Sequence, residues 1–236
     1  MKAALIAAGL GERLRTAGIT VPKPLVEVAG RPLVDHVLDA VVTAGVDQVA
    51  CIFNAEPDAD AVEAHCRRRA VPRLTIVRRS TPSSMESLFA LAPLLGDGRF
   101  LLLTVDAVFA PGVLRDFLAA ARAQADADVV LAVTDFVDDE KPLRLALTPD
   151  GRVAALGEAA AASPLVTAGF YVFNPRVFAE VDAARAARLT ALRQWLGFLH
   201  ERRYLIAGVR IGKTVDVDRP QDIAVADAFV RSGFAS

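Results

Sequence analysis

The stretch Ala3-Ala4-Leu5-Ile6-Ala7-Ala8-Gly9-Leu10-Gly11-Glu12-Arg13-Leu14 constrains this chain more than any other. Its apolar run is continuous rather than alternating, the pattern of a strand buried on both faces. The run ends in Gly9 and Gly11, and a backbone without Cβ can come close to a ligand and turn its N–H groups toward it. Arg13 follows at once, and Lys23 comes soon after within Pro22-Lys23-Pro24-Leu25. Two cations beside a glycine loop suit a polyphosphate. Two common phosphate loops do not fit. A dinucleotide fingerprint needs a third glycine where Leu14 stands, and an acidic residue after the second strand, where Phe53-Asn54 stands. A Walker A loop needs four residues between its glycines and then Lys-Ser/Thr. The plain alternative is a tight strand-to-helix turn, and Arg13 with Lys23 counts against it.

The order of signals along the chain sets the fold class. Strand patterns at Val49 to Phe53, Leu74 to Arg78, Arg99 to Val105 and Val129 to Thr134 alternate with helical patterns. The helices are expected over Leu33 to Val42, Asp58 to Arg69, Ser84 to Leu95 and from Val113 onward. Such alternation predicts an α/β fold: a single three-layer α/β/α, Rossmann-like domain with a mostly parallel mixed central sheet. The second half is less regular. Asp135 to Pro142 reads as a polar loop, Leu143 to Thr148 as a strand and Pro149-Asp150-Gly151 as a turn. Val166 to Phe173 reads as a strand, with helices near Val177 to Arg185 and Leu189 to Glu201. Leu205 to Ile211 is a further strand, and Gln221 to Val230 a last helix. At 236 residues the expectation is one domain over residues 1–236, with a nucleotide-binding part to about 134 and an acceptor-binding part from about 135.

Charge excludes several partners. With 27 basic against 28 acidic residues there is no global field to attract nucleic acid or an anionic membrane. Arg67-Arg68-Arg69 reads as the solvated end of a helix. Cys51 and Cys66 lie in different elements without metal spacing, which argues for core thiols in a reducing compartment. No apolar run approaches the ~20 residues of a membrane helix, and the N-terminus opens directly on a strand signal without a basic-then-apolar leader. A cytoplasmic protein is expected.

Leu5 to Leu14, Pro22-Lys23-Pro24-Leu25 and Gly30-Arg31-Pro32-Leu33 together resemble the sugar-phosphate nucleotidyltransferases, and the first 40 residues follow that pattern almost without a gap. Further islands extend the resemblance: Asp106 after an apolar strand, Ala168-Gly169-Phe170-Tyr171-Val172-Phe173, and Val215-Asp216-Val217-Asp218-Arg219-Pro220-Gln221-Asp222. The resemblance implies an enzyme that joins a nucleoside triphosphate to a phosphorylated small-molecule acceptor, with release of pyrophosphate. It implies that Arg13 holds the β- and γ-phosphates and that Lys23 stabilises charge on the α-phosphoryl group. Asp106 and Asp216 would hold Mg²⁺. The main chain at Ala7, Ala8, Gly9 and Gly11, with Ser84, would take the nucleotide, although Ser84 also reads as a helix cap with Ser87 on the exposed face. Glu158 and Gly169 would line the acceptor site.

The chain departs from the pattern at one point. Sugar enzymes of this kind usually carry a lysine after the glutamate corresponding to Glu158, but here the sequence runs Gly157-Glu158-Ala159-Ala160. Lys213 is the first candidate to replace it, with Lys141, Arg144 and Arg210 behind it. That departure, with Asp216-Val217-Asp218, leaves open a cytidylyltransferase for an alcohol or polyol phosphate. A catalytically silent, nucleotide-sensing subunit is the rival from another class, and Arg13, Lys23, Asp106 and Asp216 argue against it. Asp218 and Asp222 both read as caps for the last helix. His36, His65 and His200 share no metal spacing. Trp195 falls on an apolar helical stripe with Leu192, Leu196 and Leu199. The base, the acceptor and a homodimer stay open.

Overall fold

The structure, a computed structural model, describes residues 1–55, 58–136 and 142–235. Seven strands build one central sheet: β1 (Lys2–Ala7), β2 (Gln48–Phe53), β3 (Leu74–Arg78), β4 (Phe100–Thr104), β5 (Val129–Thr134), β6 (Val166–Phe173) and β7 (Ile206–Arg210). Their order across the sheet is β7-β5-β6-β4-β1-β2-β3. Neighbours run parallel except around β6, which is antiparallel to both β4 and β5. The sheet is therefore mixed and mostly parallel, as the strand–helix alternation predicts.

Helices α1 (Glu12–Thr16), α2 (Leu33–Thr43), α3 (Ala59–Arg67), α4 (Ser84–Leu95), α5 (Val113–Ala123), α6 (Val181–Ala186), α7 (Leu192–Glu201) and α8 (Pro220–Arg231) complete the frame. The two faces of the sheet divide the core according to the two-residue period of the strands. Ala3, Leu5 and Ala7 of β1 pack toward Val37, Leu38 and Val41 of α2, Val62 of α3 and Phe117 of α5. Ala4 and Ile6 pack toward Met85, Leu88 and Leu91 of α4 and Trp195 and Leu196 of α7. β1 is thus covered on both sides, which is why its sequence does not alternate.

Among the described residues three short ribbons sit outside this sheet, and two of them pack with α1 and α8. Ala107–Phe109 pairs antiparallel with Thr214–Asp216, so the residues after β4 meet those before α8. The strand at Ala107–Phe109 has no separate signal in the sequence, because it continues the apolar run of β4 past Asp106. Glu27–Val28 pairs with Arg31–Pro32 around a turn in which Ala29 and Gly30 both have positive φ. Leu14, Val26, Val28, Val108, Val215, Val217, Ala226 and Phe229 join both ribbons, α1 and α8 in a third apolar cluster.

Some expected bounds shift. The helix expected from Val177 starts as a 3-10 turn over Pro175–Glu180 and becomes α-helical only in α6, as the fixed φ of Pro175 opens the turn without extending it. The helix expected from Leu189 begins at Leu192. The strand expected over Leu143 to Thr148 contracts to Leu145–Leu147, paired with Val153–Leu156. Within the expected loop Asp135 to Pro142, Lys141 and residues 137–140 lie outside the described residues.

The readings for single residues are resolved by their neighbours. Arg67 pairs with Glu63 within α3 and stays exposed like Arg68, as a solvated helix end does, while Arg69 reaches Asp35 and Asp39 of α2. His65 Nε2 lies 2.8 Å from buried Asp35, and His36 Nε2 lies 3.0 Å from the Val28 carbonyl. Cys51 and Cys66 are free buried thiols, and burial pushes both thiol pKa values up. No described helix is long and apolar enough to cross a membrane.

Trp195 is fully buried, edge-on to Phe89 at 5.1 Å and stacked on Phe173 at 5.6 Å. Trp195→Ala should therefore lower unfolding stability by about 3–5 kcal/mol. Chemical denaturation followed by circular dichroism checks this, and a loss below about 1 kcal/mol would show that the helix layer over β6 is not fixed by this ring.

Candidate active site

The carboxyl ends of β1, β2, β3 and β4 open into a cleft of about 660 Å³. This is where open α/β sheets present ligand sites. One wall is the loop after β1, with Ala7, Ala8, Gly9, Leu10 and Gly11 among the lining residues. Gly11 caps α1 at φ 62°, and a Cβ there would come within 3.1 Å of Lys23 Cβ. Glycine is thus fixed at this position both by backbone sign and by the lysine stem packed against it.

Lys23 forms the floor. It begins the 3-10 turn Lys23–Leu25 and is 8% exposed. Its Nζ donates to Asp106 Oδ2 at 2.6 Å and to Asp218 Oδ1. Burial works against the charged ammonium, but the two carboxylates outweigh it and hold the Lys23 pKa above its ordinary 10.5. Burial likewise disfavours the Asp106 carboxylate, and Lys23 outweighs that to hold its pKa below the ordinary 3.8. Arg13 NH1 lies 3.7 Å from Asp218 Oδ2 at the cleft mouth.

The opposite wall belongs to α4. Ser83 caps the helix, its hydroxyl accepting from the Glu86 N–H at 3.2 Å. Ser84 is the first helical residue and lines the cleft; the cap expected at Ser84 sits one residue earlier. Ser87 is not on an exposed face. It is 1% exposed, donates to the Ser83 carbonyl and bonds Thr81 Oγ1 at 2.5 Å. The positive end of the α4 dipole and a row of hydroxyls thus face the space over the glycine loop.

Asp106 and Asp216, 110 positions apart in sequence, are drawn together by the ribbon. Asp216 pairs in register with Ala107, and the Val217 N–H donates to the Asp106 carbonyl at 3.1 Å. Asp106 lines the main cleft, whereas Asp216 lines a separate, smaller pocket with Thr134, Thr167 and Thr214. Gly169 packs beside them at φ 78°, in the stretch where the pairing of β6 with β5 shifts register between Thr167 and Tyr171. A Cβ there would meet Ala107 Cβ and Thr104 Oγ1 at 3.1 Å and Asp216 Oδ1 at 3.7 Å. Burial pushes the Tyr171 hydroxyl to about 12, with Asp216 and Asp106 both adding to the rise.

Four residues named from the resemblance, Asp216, Gly169, Glu158 and Lys213, are not among the residues that line this cleft. Lys213 Nζ lies over the Phe136 ring at 4.3 Å and the Phe229 ring at 5.1 Å, held by cation–π attraction outside the cleft lining. Glu158 is exposed on a 3-10 turn, Gly157–Ala160, and is also absent from that lining. Of the other cations named, Arg144 donates to the Ser163 carbonyl at 2.7 Å, and Arg210 ends β7 at the sheet edge.

The residue that the sequence misplaces is Asp218. Asp222 closes the start of α8, its Oδ2 accepting from the N–H groups of Asp218 at 2.9 Å and Arg219 at 2.7 Å. The Asp218 carboxylate is thereby left for the cleft. Asn54, Ser80 and Thr81 also line it, and Ser80 Oγ donates to Asn54 Oδ1. The signal available for Asp218 is its spacing: two residues beyond Asp216 in an extended segment, it can share that residue's side of the chain.

A model of the MobA-like NTP transferase domain matches residues 3–204. The chain belongs to this family. Among curated relatives it is 34% identical over 191 residues to an N-acetylmuramate alpha-1-phosphate uridylyltransferase of Caulobacter vibrioides, covering 75% of this chain and 77% of that one. It is also 34% identical over 160 residues to a CMP-5'-(3-aminopropyl)phosphonate synthase of Streptomyces rubellomurinus, where the match spans 60% of this chain but only 25% of the relative. An inositol-1-phosphate CTP transferase from T. maritima has the same fold, with a TM-score of 0.81 at 19% identity over 100% of this chain and 98% of that one. A putative glucose-1-phosphate thymidylyltransferase from Bacillus anthracis superposes with a TM-score of 0.84 at 16% identity, covering 98% and 95%. The fold and the resemblance read from the sequence therefore agree with the family.

Charge on the Lys23–Asp106 pair sets a pH window. A lysine raised above 10.5 contributes stability that is intact below 10.5 and lost as pH rises through its folded value. An aspartate lowered below 3.8 contributes stability intact above 3.8 and lost as pH falls through its folded value. Lys23→Met should accordingly cost about 3–5 kcal/mol of stability near neutral pH, shrinking in strong acid. Urea unfolding in the presence of a chelator reads this difference, and a cost that varied steeply near pH 7 would contradict the pairing.

Proposed function

We propose that the protein transfers a nucleotidyl group from a nucleoside triphosphate to a sugar 1-phosphate and releases pyrophosphate. The observation that carries this reading is the Lys23 ammonium, buried beneath the Gly9-Leu10-Gly11 loop and facing the cleft between Asp106 and Asp218. A buried, permanently charged ammonium at the floor of a glycine-walled cleft fits a developing phosphoryl charge better than it fits a neutral ligand. The similarity to a sugar-phosphate uridylyltransferase over three quarters of both chains supports the acceptor class.

In this reading an acceptor phosphate oxygen attacks the α-phosphorus in line. A new phosphorus–oxygen bond forms while the bond to the bridging oxygen of the leaving pyrophosphate breaks. Such a reaction is accelerated by positioning and charge neutralisation, with no protein nucleophile. Lys23 neutralises the α-phosphoryl oxygens and Arg13 grips the β- and γ-phosphates as a fork of donors. The main chain from Ala7 to Gly11 approaches the nucleotide, and Ser84 at the start of α4 faces it. Gly169, which the resemblance gives to the acceptor, lets β6 pack closely against Thr104 and Ala107, since a Cβ there would sit 3.1 Å from both at a positive φ.

Asp106 and Asp216 would hold Mg²⁺. Their carboxylate oxygens are the hard donors this cation takes. Substrate phosphate oxygens and water would complete the shell of a Mg²⁺ held there. When bound, the metal supplies positive charge to the phosphate oxygens.

A second reading, a cytidylyltransferase for an alcohol phosphate, is favoured by one placement. Lys213 is held by two aromatic rings away from the cleft, so the lysine missing after Glu158 is not replaced from there. The regulatory reading is disfavoured by the convergence of Arg13, Lys23, Asp106 and Asp218 in one cleft.

Pyrophosphate release should be detected with one nucleoside triphosphate, Mg²⁺ and one member of a panel of sugar 1-phosphates and alcohol phosphates. The panel member that turns over decides between the two readings, and the absence of turnover with any pair by folded protein would count against both. Asp106→Asn and Asp216→Asn should each lower turnover at least ~100-fold, and a near-normal rate removes that residue from the metal site. Lys23→Ala should reduce kcat more than it raises the triphosphate KM; the opposite split would make Lys23 a ground-state binding group.

A further inference from the structure

Asp218 has no role in the proposed transfer step, yet it is the carboxylate most intimately placed among the cations of the cleft. One of its oxygens accepts from Lys23 Nζ and the other lies 3.7 Å from Arg13 NH1. Those are the two groups that the transfer reading gives to the phosphates. We propose that Asp218 is a displaceable internal counter-anion that occupies Lys23 and Arg13 until a triphosphate evicts it. The proposal rests on the nucleotidyl-transfer reading and adds to it a condition on how the nucleotide enters.

Three features distinguish Asp218 from a fixed structural partner. Its side chain is 46% exposed, whereas that of Asp106, the other partner of Lys23, is 24% exposed. The solvated carboxylate is the one that can leave at little desolvation cost, while Asp106 stays and keeps the buried ammonium paired. The backbone of Asp218 is pinned independently, because its N–H and that of Arg219 are both held by Asp222. Eviction therefore needs only a side-chain rotation, not a movement of α8. The ribbons and α8 share one apolar cluster with Leu14 and Val26, so Arg13, Lys23 and Asp218 are presented by a single packed unit.

The charge balance gives the arrangement a consequence. Among the described lining residues Arg13 and Lys23 stand against Asp106, Asp218 and Glu12, so the cleft offers no net positive charge to a bare polyphosphate. A polyphosphate without a divalent cation must compete with Asp218 for both cations. Asp218 thus keeps Lys23 oriented in the empty protein and weakens binding of metal-free polyanions. It is a positioning and selectivity residue.

Inorganic tripolyphosphate, titrated calorimetrically in the presence of EDTA, isolates this competition from base, acceptor and metal. Asp218→Asn and Asp218→Ser should bind it about five- to tenfold more tightly than the unmutated protein. Asp116→Asn, which changes net charge equally on an exposed face of α5, should leave binding unchanged. Equal or weaker binding by both Asp218 variants, with unaltered thermal unfolding, overturns the proposal. On the unmutated protein, side-chain NMR should show the Lys23 ammonium resonance shifting as tripolyphosphate is added, and an unmoved resonance also overturns it. The parent reading is tested separately by pyrophosphate release. A protein that turns over with Mg²⁺ while its Asp218 variants gain no affinity refutes only the displaced counter-anion. One that neither binds tripolyphosphate nor turns over refutes both.

Discussion

An ammonium group withdrawn from water must be met by anions, and the burial of Lys23 imposes that requirement on three distant parts of the chain. The loop after α1 supplies the lysine, the end of β4 supplies Asp106, and the segment before α8 supplies Asp218. Removing Lys23 would leave the carboxylate of Asp106 without its cation, and removing Asp106 would leave the buried ammonium only its exposed partner Asp218. The third apolar cluster lets them meet, since Leu14, Val26, Val108, Val215 and Val217 interlock residues flanking all three segments. Stability and site geometry are thus coupled. The packing that closes the end of the sheet also aims the charges into the cleft.

The antiparallel strand β6 gives the same end of the sheet its second side. Inserted between β4 and β5, it brings Gly169 against Thr104 and Asp216. The register shift there costs ladder regularity and accompanies a close approach of the β6 backbone that a side chain at Gly169 would crowd. The ribbon of Ala107–Phe109 with Thr214–Asp216 then ties the chain's last quarter back to β4, so the division into a nucleotide half and an acceptor half is not clean. Asp218 comes from the second half, yet it lies in the cleft built by the first.

Most of the frame was legible because burial writes itself into sequence. The bounds of β3, β5, β6 and α4 follow directly from apolar runs and their flanking turn residues. The glycine loop and Arg13 were legible for a local reason, since they follow directly on β1 and strand ends in a parallel sheet converge, whereas Lys23 lies well past that strand and returns to the cleft through the 3-10 turn Lys23–Leu25. Lys213 and Glu158 were placed by resemblance alone. Nothing local told that Phe136 and Phe229 would capture the lysine, because that contact joins residues far apart in the chain.

The sequence by itself determined the three-layer α/β frame, the glycine loop and the cations that flank it, since each depends on short-range pattern and backbone permissiveness. Tertiary structure alone decided which aspartate caps α8 and which one faces the cleft. Asp218 and Asp222 are equivalent candidates along the chain. Only the docking of α8 against the ribbons brings Lys23 and Arg13 within reach of one carboxylate and leaves the other to the backbone N–H groups. Long-range electrostatics made that choice, and a linear pattern carries no record of it.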